Sequence, residues 1–243
     1  TDGAVRQTYP CCLKKSAVEV KVDIQEFSSR EKIRSDCYRF LSACFYLPEK
    51  DLFLKEGLLS NLTATLKQIF PDASVFSAAM EDNIKQYSDE DLAAEYAKLF
   101  VGPSELIAAP YGSVYLDGER RVMGDSTMEV IKLYEEEGLG RDENFKELPD
   151  HVAVELEFMS FLIYKEIEAL RKNDFKTALA YVEKQEGFLH GHLRQWLPLL
   201  CEKIKEGTGN LFYRAVADCV STFIRNSHLD SIRETIREKS LSI

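Results

Sequence analysis

Carboxylates and a histidine lie together in one segment of the chain, with a spacing that suits a charged binding site. Residues 147–151 read ELPDH, and Glu155 follows one helical turn later. Asp150 is a good residue to begin a helix, and His151 can gain or lose a proton near neutral pH. Such a segment could accept charge-assisted hydrogen bonds from guanidinium groups. The simpler interpretation is that Asp150 only caps the helix and His151 packs beside it.

The remaining reactive residue types form no recognisable catalytic arrangement. His151 and Glu155 could share an ion, but the H-E-x-x-H and E-x-x-H motifs of zinc and di-iron sites are absent. No serine or cysteine lies in a nucleophile elbow. The glycines at Gly207 and Gly209 lack the lysine of a phosphate loop and indicate a turn between helices. The sequence therefore predicts a protein that is not an enzyme and that holds no metal or cofactor.

The charge and hydropathy of the chain limit its partners. Lysine and arginine number 31 against 41 aspartates and glutamates, which gives a net charge of −10. This charge repels a phosphate backbone, so nucleic acid is not expected as a partner, whereas a basic peptide would be attracted. Many ordinary cytosolic proteins are equally acidic. No apolar run approaches the roughly 20 residues that span a bilayer, and no secretory signal is visible. We expect a cytoplasmic protein without membrane insertion.

The six cysteines contain no C-x-x-C pair, so neither a zinc ribbon nor a thioredoxin-like site is indicated. Cys37 and Cys44 lie seven residues apart on one apolar helical face, and Cys219 lies on another. We predict that these three are reduced core residues.

Apolar residues recur at helical spacing along most of the chain, which predicts an all-α, single-domain bundle of about ten helices. Ser28 and Glu31 fit a capping box at the start of the first helix. Residues 1–27 lack a clear helical period and are assigned to an N-terminal arm, either extended or disordered. Residues 28–243 are assigned to the helical domain.

A long aromatic loop separates the fourth predicted helix from the fifth. The fourth helix begins near Ser88 and buries Leu99 and Phe100 before a glycine and a proline break it. The loop, residues 101–124, combines glycines and prolines with tyrosines and aliphatic residues. Long loops of this kind are often functional. The loop is either a hydrophobic plug on the bundle or one wall of a binding groove.

The two helices that follow the loop are also predicted. The fifth runs from about Asp125 to Gly138 with Met128 facing inward. The sixth begins at Asp150 as its N-cap, and its apolar stripe faces the core. Further along, Pro198 is expected to bend a helix.

Four groups of residues, in this order, resemble the TorD/DmsD family of redox-enzyme maturation chaperones. They lie at 95–103, 110–115, 123–124 and 149–159. The histidine, tryptophan and proline at 192–198 are similar to a later segment of the family. The resemblance covers roughly residues 30 to 225.

The resemblance implies a cytoplasmic, all-helical chaperone for a molybdopterin-containing reductase of the dimethyl sulfoxide or trimethylamine N-oxide type. It implies that the chaperone binds the twin-arginine leader of this client until the cofactor is inserted. In the family, an aspartate–histidine pair and a proline–aromatic segment are associated with leader binding. The predicted leader-binding site combines the matching positions, their neighbours in the same region and the carboxylate of Glu155. Its residues are Leu99, Phe100, Pro110, Tyr111, Ser113, Tyr115, Gly124, Asp150, His151 and Glu155.

This sequence departs from the family pattern in two places, and other functions stay open. Pro149 stands one place later than the family's usual proline, and Tyr111 and Tyr115 occupy positions where some members carry tryptophan. The alternatives are a protein that binds or hydrolyses guanine nucleotides and a helical oligomerisation module. The client's mature domain is a further candidate partner, and both a monomer and a homodimer fit the sequence.

Overall fold

The computed structural model describes residues 24–102, 106–118, 122–140 and 147–241. These residues form twelve α-helices and no β-strand, which confirms the all-α prediction. The two shortest helices have five and four residues, so the count agrees with about ten predicted helices. The helices are α1 (Ile24–Ala43), α2 (Lys50–Leu54), α3 (Leu58–Ile69), α4 (Pro71–Ile84), α5 (Asp89–Tyr96), α6 (Ser113–Leu116), α7 (Asp125–Glu136), α8 (Val152–Arg171), α9 (Phe175–Phe188), α10 (Arg194–Gly207), α11 (Leu211–Asn226) and α12 (Asp230–Ser240).

Helix α8 is the element around which the site is built. Helix α1 packs along α8 and so does α9, while α11 packs against α4 and α10. The stripe predicted on α8 is buried, as its five members show: Val152, Leu156, Met159, Ile163 and Ile167. Because this stripe recurs every three or four residues, it faces the core along the whole helix. The first residues of α8 are thereby held in a fixed position.

Two π-helical turns interrupt the α-helices. The turn Ala97–Val101 continues α5 and ends at Gly102, whose φ of 56° suits a glycine. It buries both Leu99 and Phe100. The turn Leu189–Leu193 joins α9 to α10. A π turn adds one residue to a helical turn and so redirects the side chains around it.

The first helix begins earlier than the sequence predicts. Helix α1 starts at Ile24, and Ser28 lies buried within it, so the predicted capping box is wrong. Its partner, Glu31, instead accepts hydrogen bonds from Arg34. Residues 24–27, assigned to the arm, are therefore helical, and the rest of the arm lies outside the described residues. The start predicted near Ser88 is confirmed, and Ser88 forms a capping box with Asp91 there.

Other core predictions are mostly confirmed. Cys37, Cys44 and Cys219 are buried free thiols, and burial raises the pKa of the first two to about 12. Met128 was predicted to face inward but is 57% exposed, because Val130 takes the buried position on α7. Pro198 lies inside α10. Within the described part of the chain, no helix has the length and apolar character needed to cross a membrane.

Candidate functional site

The second half of the aromatic loop is attached to the start of α8 by backbone hydrogen bonds. The Gly112 amide donates to the Asp150 carbonyl over 2.9 Å, and the first amide of α8 donates to the Pro110 carbonyl over 2.8 Å. Tyr111 and His151 thereby form an isolated antiparallel bridge. The structure thus brings together the two segments that the sequence analysis singled out.

The Asp150 side chain also holds the loop against the start of α8. Its carboxylate is fully buried, and Oδ2 accepts a hydrogen bond from the Ser113 amide at 2.9 Å. The prediction that Asp150 caps α8 is wrong, because its carboxylate points to the first residue of α6 and His151 is the N-cap. Asp150 Oδ1 and Ser113 Oγ are buried without a hydrogen-bond partner among the described residues.

His151 is buried between two tyrosine rings. Its Nδ1 accepts a hydrogen bond from the Ala153 amide at 3.2 Å, which caps α8. The ring stacks on Tyr46 with centroids 6.0 Å apart and meets Tyr111 edge-on at 5.4 Å. Burial lowers the pKa of His151 to about 4, even though Glu147 and Asp150 act in the opposite direction. The imidazole is therefore neutral at pH 7.

The buried, neutral His151 makes stability depend on pH. The unfolded chain takes up a proton near pH 6.5, whereas the folded protein does so only near pH 4. The contribution of His151 to the free energy of unfolding should therefore fall as pH decreases through this interval, by about 3 kcal/mol at pH 4. Urea denaturation at pH 7 and pH 4.5 measures this change. The variant His151→Asn keeps a capping acceptor that does not titrate. Its free energy of unfolding should therefore fall less between pH 7 and pH 4.5 than that of the wild-type protein. An equal loss in both proteins would contradict the assignment.

Glu155 lies directly beneath Gly112 and joins three elements. Its carboxylate contacts His192 Nε2 at 2.7 Å and accepts a hydrogen bond from Trp196 Nε1 at 2.9 Å. Burial raises the pKa of Glu155 to about 7. Burial alone would lower the pKa of His192, but the hydrogen bond and charge of Glu155 raise it. A Cβ at Gly112 would lie 3.2 Å from the carboxylate, so glycine lets the loop approach.

The two loop tyrosines face different elements. Tyr111 donates a hydrogen bond to Glu147 Oε2 at 3.0 Å, on the His151 side. Tyr115 instead stacks on Trp196 of α10, with ring centroids 5.7 Å apart. Leu99 and Phe100 lie in the core below the loop. The predicted site residues are therefore divided between a surface near Glu147 and the packing that supports it.

Gly124 also has a structural explanation. It precedes α7, and a Cβ there would collide with the Asp117 carboxylate. That carboxylate accepts hydrogen bonds from the amide and hydroxyl of Ser126, at 3.2 and 3.0 Å, and so caps the start of α7. A side chain at position 124 would displace this cap.

Four half-buried or exposed residues form what we call the tyrosine–glutamate surface: Tyr46, Tyr111, Glu147 and Glu157. Tyr46 donates to Glu157 Oε1 over 3.1 Å, and its ring covers His151. Glu147 has a third of its side chain exposed, and its Oε2 lies 3.9 Å from His151 Nε2. The predicted site residues include Tyr111 but not Tyr46, Glu147 or Glu157, although Glu147 lies in the ELPDH segment. Glu157 lies in the family-like segment, whereas only the packing of α1 on α8 brings Tyr46 to it.

The described residues therefore form a helical bundle that carries an acidic and aromatic surface. Among the described residues, no three histidines, cysteines or carboxylates are grouped as metal ligands. A family model described as "Nitrate reductase delta subunit" matches residues 59–202, more than half of the chain. The chain belongs to this family, which confirms the predicted TorD kinship.

Similar proteins support the same assignment. The chain is 29% identical to the chaperone protein TorD of Vibrio parahaemolyticus over 83% of its own length and 96% of that protein. It is 28% identical to TorD of Photobacterium profundum, over 82% and 94% of the two chains. A crystal structure from Archaeoglobus fulgidus, described as a redox enzyme maturation protein, shares the fold with a TM-score of 0.50 and 21% identity, over 80% and 94%. The two TorD proteins are named chaperones, which supports the prediction of a protein that is not an enzyme.

Proposed function

We propose that this protein is a cytoplasmic chaperone that binds the twin-arginine leader of a molybdopterin-containing reductase. The client is of the dimethyl sulfoxide or trimethylamine N-oxide reductase type, and the chaperone holds the leader until the cofactor is inserted. Membership in the TorD family supports the class of client. The observation that carries the proposal is the tyrosine–glutamate surface, where two carboxylates that solvent can reach flank aromatic rings.

The chemistry of this surface suits a pair of arginines. A guanidinium group can form two parallel hydrogen bonds with a carboxylate and can also stack on an aromatic face. Glu147 and Glu157 supply the carboxylates, and Tyr46 and Tyr111 supply the rings. Because His151 is neutral at pH 7, it brings no positive charge to oppose an incoming arginine.

The buried members of the predicted site have a positioning role in this proposal. Asp150 and Pro110 fix the loop by hydrogen bonds to α6 and α8. Glu155 supports it from below. These side chains keep Tyr111 and Glu147 in place while the exposed atoms contact the leader. The same arrangement places Tyr115 against α10, where it supports the end of the loop.

The proposal predicts that Glu147→Gln weakens leader binding. A peptide with paired arginines and its apolar segment should bind the wild-type protein with a Kd in the micromolar range or tighter, about 8 kcal/mol. Loss of one carboxylate charge should raise the Kd roughly fivefold to tenfold, about 1 to 1.4 kcal/mol. Isothermal titration calorimetry measures both values.

A matched control separates a local effect from a change in overall charge. Glu202 on α10 is exposed, and Glu202→Gln removes the same charge elsewhere on the molecule. It should leave the Kd unchanged. A paired-lysine peptide should bind more weakly, because an ammonium group lacks the planar fork of arginine. If the arginine peptide produces no heat in calorimetry and shows no competition, the proposed function is wrong.

A further inference from the structure

A groove with a volume of about 480 Å³ lies between α1 and α8 and begins at the tyrosine–glutamate surface. Tyr46 and Glu157 line one end, and Lys32 and Ile167 line the other. The two helices run antiparallel here, since Ser42 contacts Glu157 whereas Arg34 contacts Glu166 further along α8. The eleven residues of α8 from Glu157 to Ile167 span about 15 Å, at a rise of 1.5 Å for each of the ten steps. The groove therefore extends the proposed arginine site along the helix pair.

We propose that this groove receives the apolar segment that follows the arginine pair of the leader. The inference rests on the proposed function. It adds a second subsite and gives the direction in which the bound leader runs. The arginines lie at the Tyr46 and Glu157 end, and the apolar residues run along the groove toward Lys32. A length of about 15 Å accommodates four or five residues in an extended conformation.

The floor of the groove is suited to an apolar ligand. Ser35 and Ser160 hydrogen-bond to each other with hydroxyls 2.8 Å apart, at the point where α1 and α8 approach. Ser42 donates to the Arg39 carbonyl over 3.0 Å. Because these hydroxyls already have partners, an apolar side chain can cover them without leaving an unsatisfied polar group.

The walls add apolar surface that solvent can reach. Phe161 and Ala43 are partly buried against the core, and the Tyr164 side chain is 51% exposed. An aliphatic segment lying against these residues would remove apolar area from water, which is the main favourable contribution in such binding. Small serine and alanine side chains on the floor leave room for larger side chains of the ligand.

The charges at the two ends set the direction of the ligand. The Tyr46 end carries the exposed Glu157 carboxylate. Lys32 lies at the other end and Arg39 near the middle of the groove, and both contact the carboxylate of Asp36. Arginines of a leader are therefore attracted to the first end and repelled from the second. A peptide with its charge before its apolar segment matches this polarity.

Two peptides test the second subsite. One carries paired arginines followed by five apolar residues, and the other has those five replaced by glycine and serine. On the wild-type protein, the apolar peptide should bind at least tenfold more tightly. Tyr164→Ser should reduce the ratio of the two Kd values to threefold or less. It should leave the Kd of the glycine–serine peptide unchanged. Leu199→Ser on α10, also an exposed apolar side chain, should change neither Kd.

A photoreactive residue at the fourth position after the arginines locates the bound segment. Crosslinks mapped by mass spectrometry should fall on residues 161–164 of α8 or on the facing side of α1. Equal affinity of the two peptides, or crosslinks elsewhere, would overturn the second subsite and leave the proposed function standing. If neither peptide binds, both proposals fail. If light scattering shows a dimer and crosslinks join two chains through the groove, a second copy is the occupant and the inference is wrong.

Discussion

Glu155→Ala is expected to lower the free energy of unfolding by about 3 to 5 kcal/mol, the usual range when one member of a buried ionic pair is removed. The substitution leaves the ring nitrogens of His192 and Trp196 buried without their shared acceptor. It also opens a void beneath Gly112, which lies against the carboxylate. Equilibrium denaturation in urea, followed by circular dichroism, measures the loss.

Glu155→Gln is the matched control for this prediction. A glutamine can accept the hydrogen bond from Trp196 and donate one to a neutral His192, so both partners keep a hydrogen bond. This variant should lose much less stability than the alanine variant. An equal loss would mean that the charge of Glu155, and not its hydrogen bonds, holds the loop in place.

The glutamine variant also tests how Glu155 makes stability depend on pH between 4.5 and 7. Because the pKa of Glu155 is raised to about 7 in the folded protein, the unfolded carboxyl releases its proton at a lower pH. The contribution of the protonated group is present below pH 4.5 and is lost as pH rises through 7. His192 acts in the same direction, since its folded pKa is also raised. Relative to Glu155→Gln, the wild-type protein should therefore lose stability as pH rises from 4.5 to 7.

The periodicity of apolar residues predicted the bundle well, because burial of an apolar stripe is a local property of sequence. The stripe of α8 and the core cysteines follow this rule. Predictions of helix ends were less successful. Ser28 has the right residue type for a cap, but Arg34 takes the carboxylate of Glu31, and the helix continues back to Ile24. Arg34 is only three residues from Glu31, but Glu166 and Gln185 on other helices hold it in the core, and periodicity does not contain that information.

The outline of the candidate site could also be predicted, because its motifs are local in the sequence. Family-like motifs selected two segments that the structure brings together, since backbone pairing joins Tyr111 to His151. The sequence could not distinguish the buried carboxylate of Asp150 from the accessible one of Glu147, since both residues suit a helix start. Burial depends on how the loop folds over α8. Tyr46 was omitted because it reaches the surface only through the packing of α1.

A second buried network fixes α1 against α8 and α9 below the groove. Arg34 donates hydrogen bonds to Glu31 at 2.5 and 2.8 Å and to Gln185 at 2.6 Å. Its contact with Glu166 is longer, at 3.3 Å, and Gln185 donates to that same carboxylate at 2.8 Å. All four side chains are buried. Burial and the neighbouring Glu31 raise the pKa of Glu166 to about 8, whereas Arg34 and the hydrogen bond from Gln185 act in the opposite direction.

Arg34→Met is therefore expected to lower the free energy of unfolding by about 3 to 5 kcal/mol, because Glu31 and Glu166 are left buried without a cation. The comparison that isolates this cause is the triple variant Glu31→Met, Arg34→Met and Glu166→Leu, which removes the charges together. Replacing a whole buried ionic network by apolar side chains is often neutral or stabilising. The triple variant should thus recover most of the loss in urea denaturation. If it is as unstable as Arg34→Met, the packing of the arginine side chain, and not its charge, holds α1 against α8.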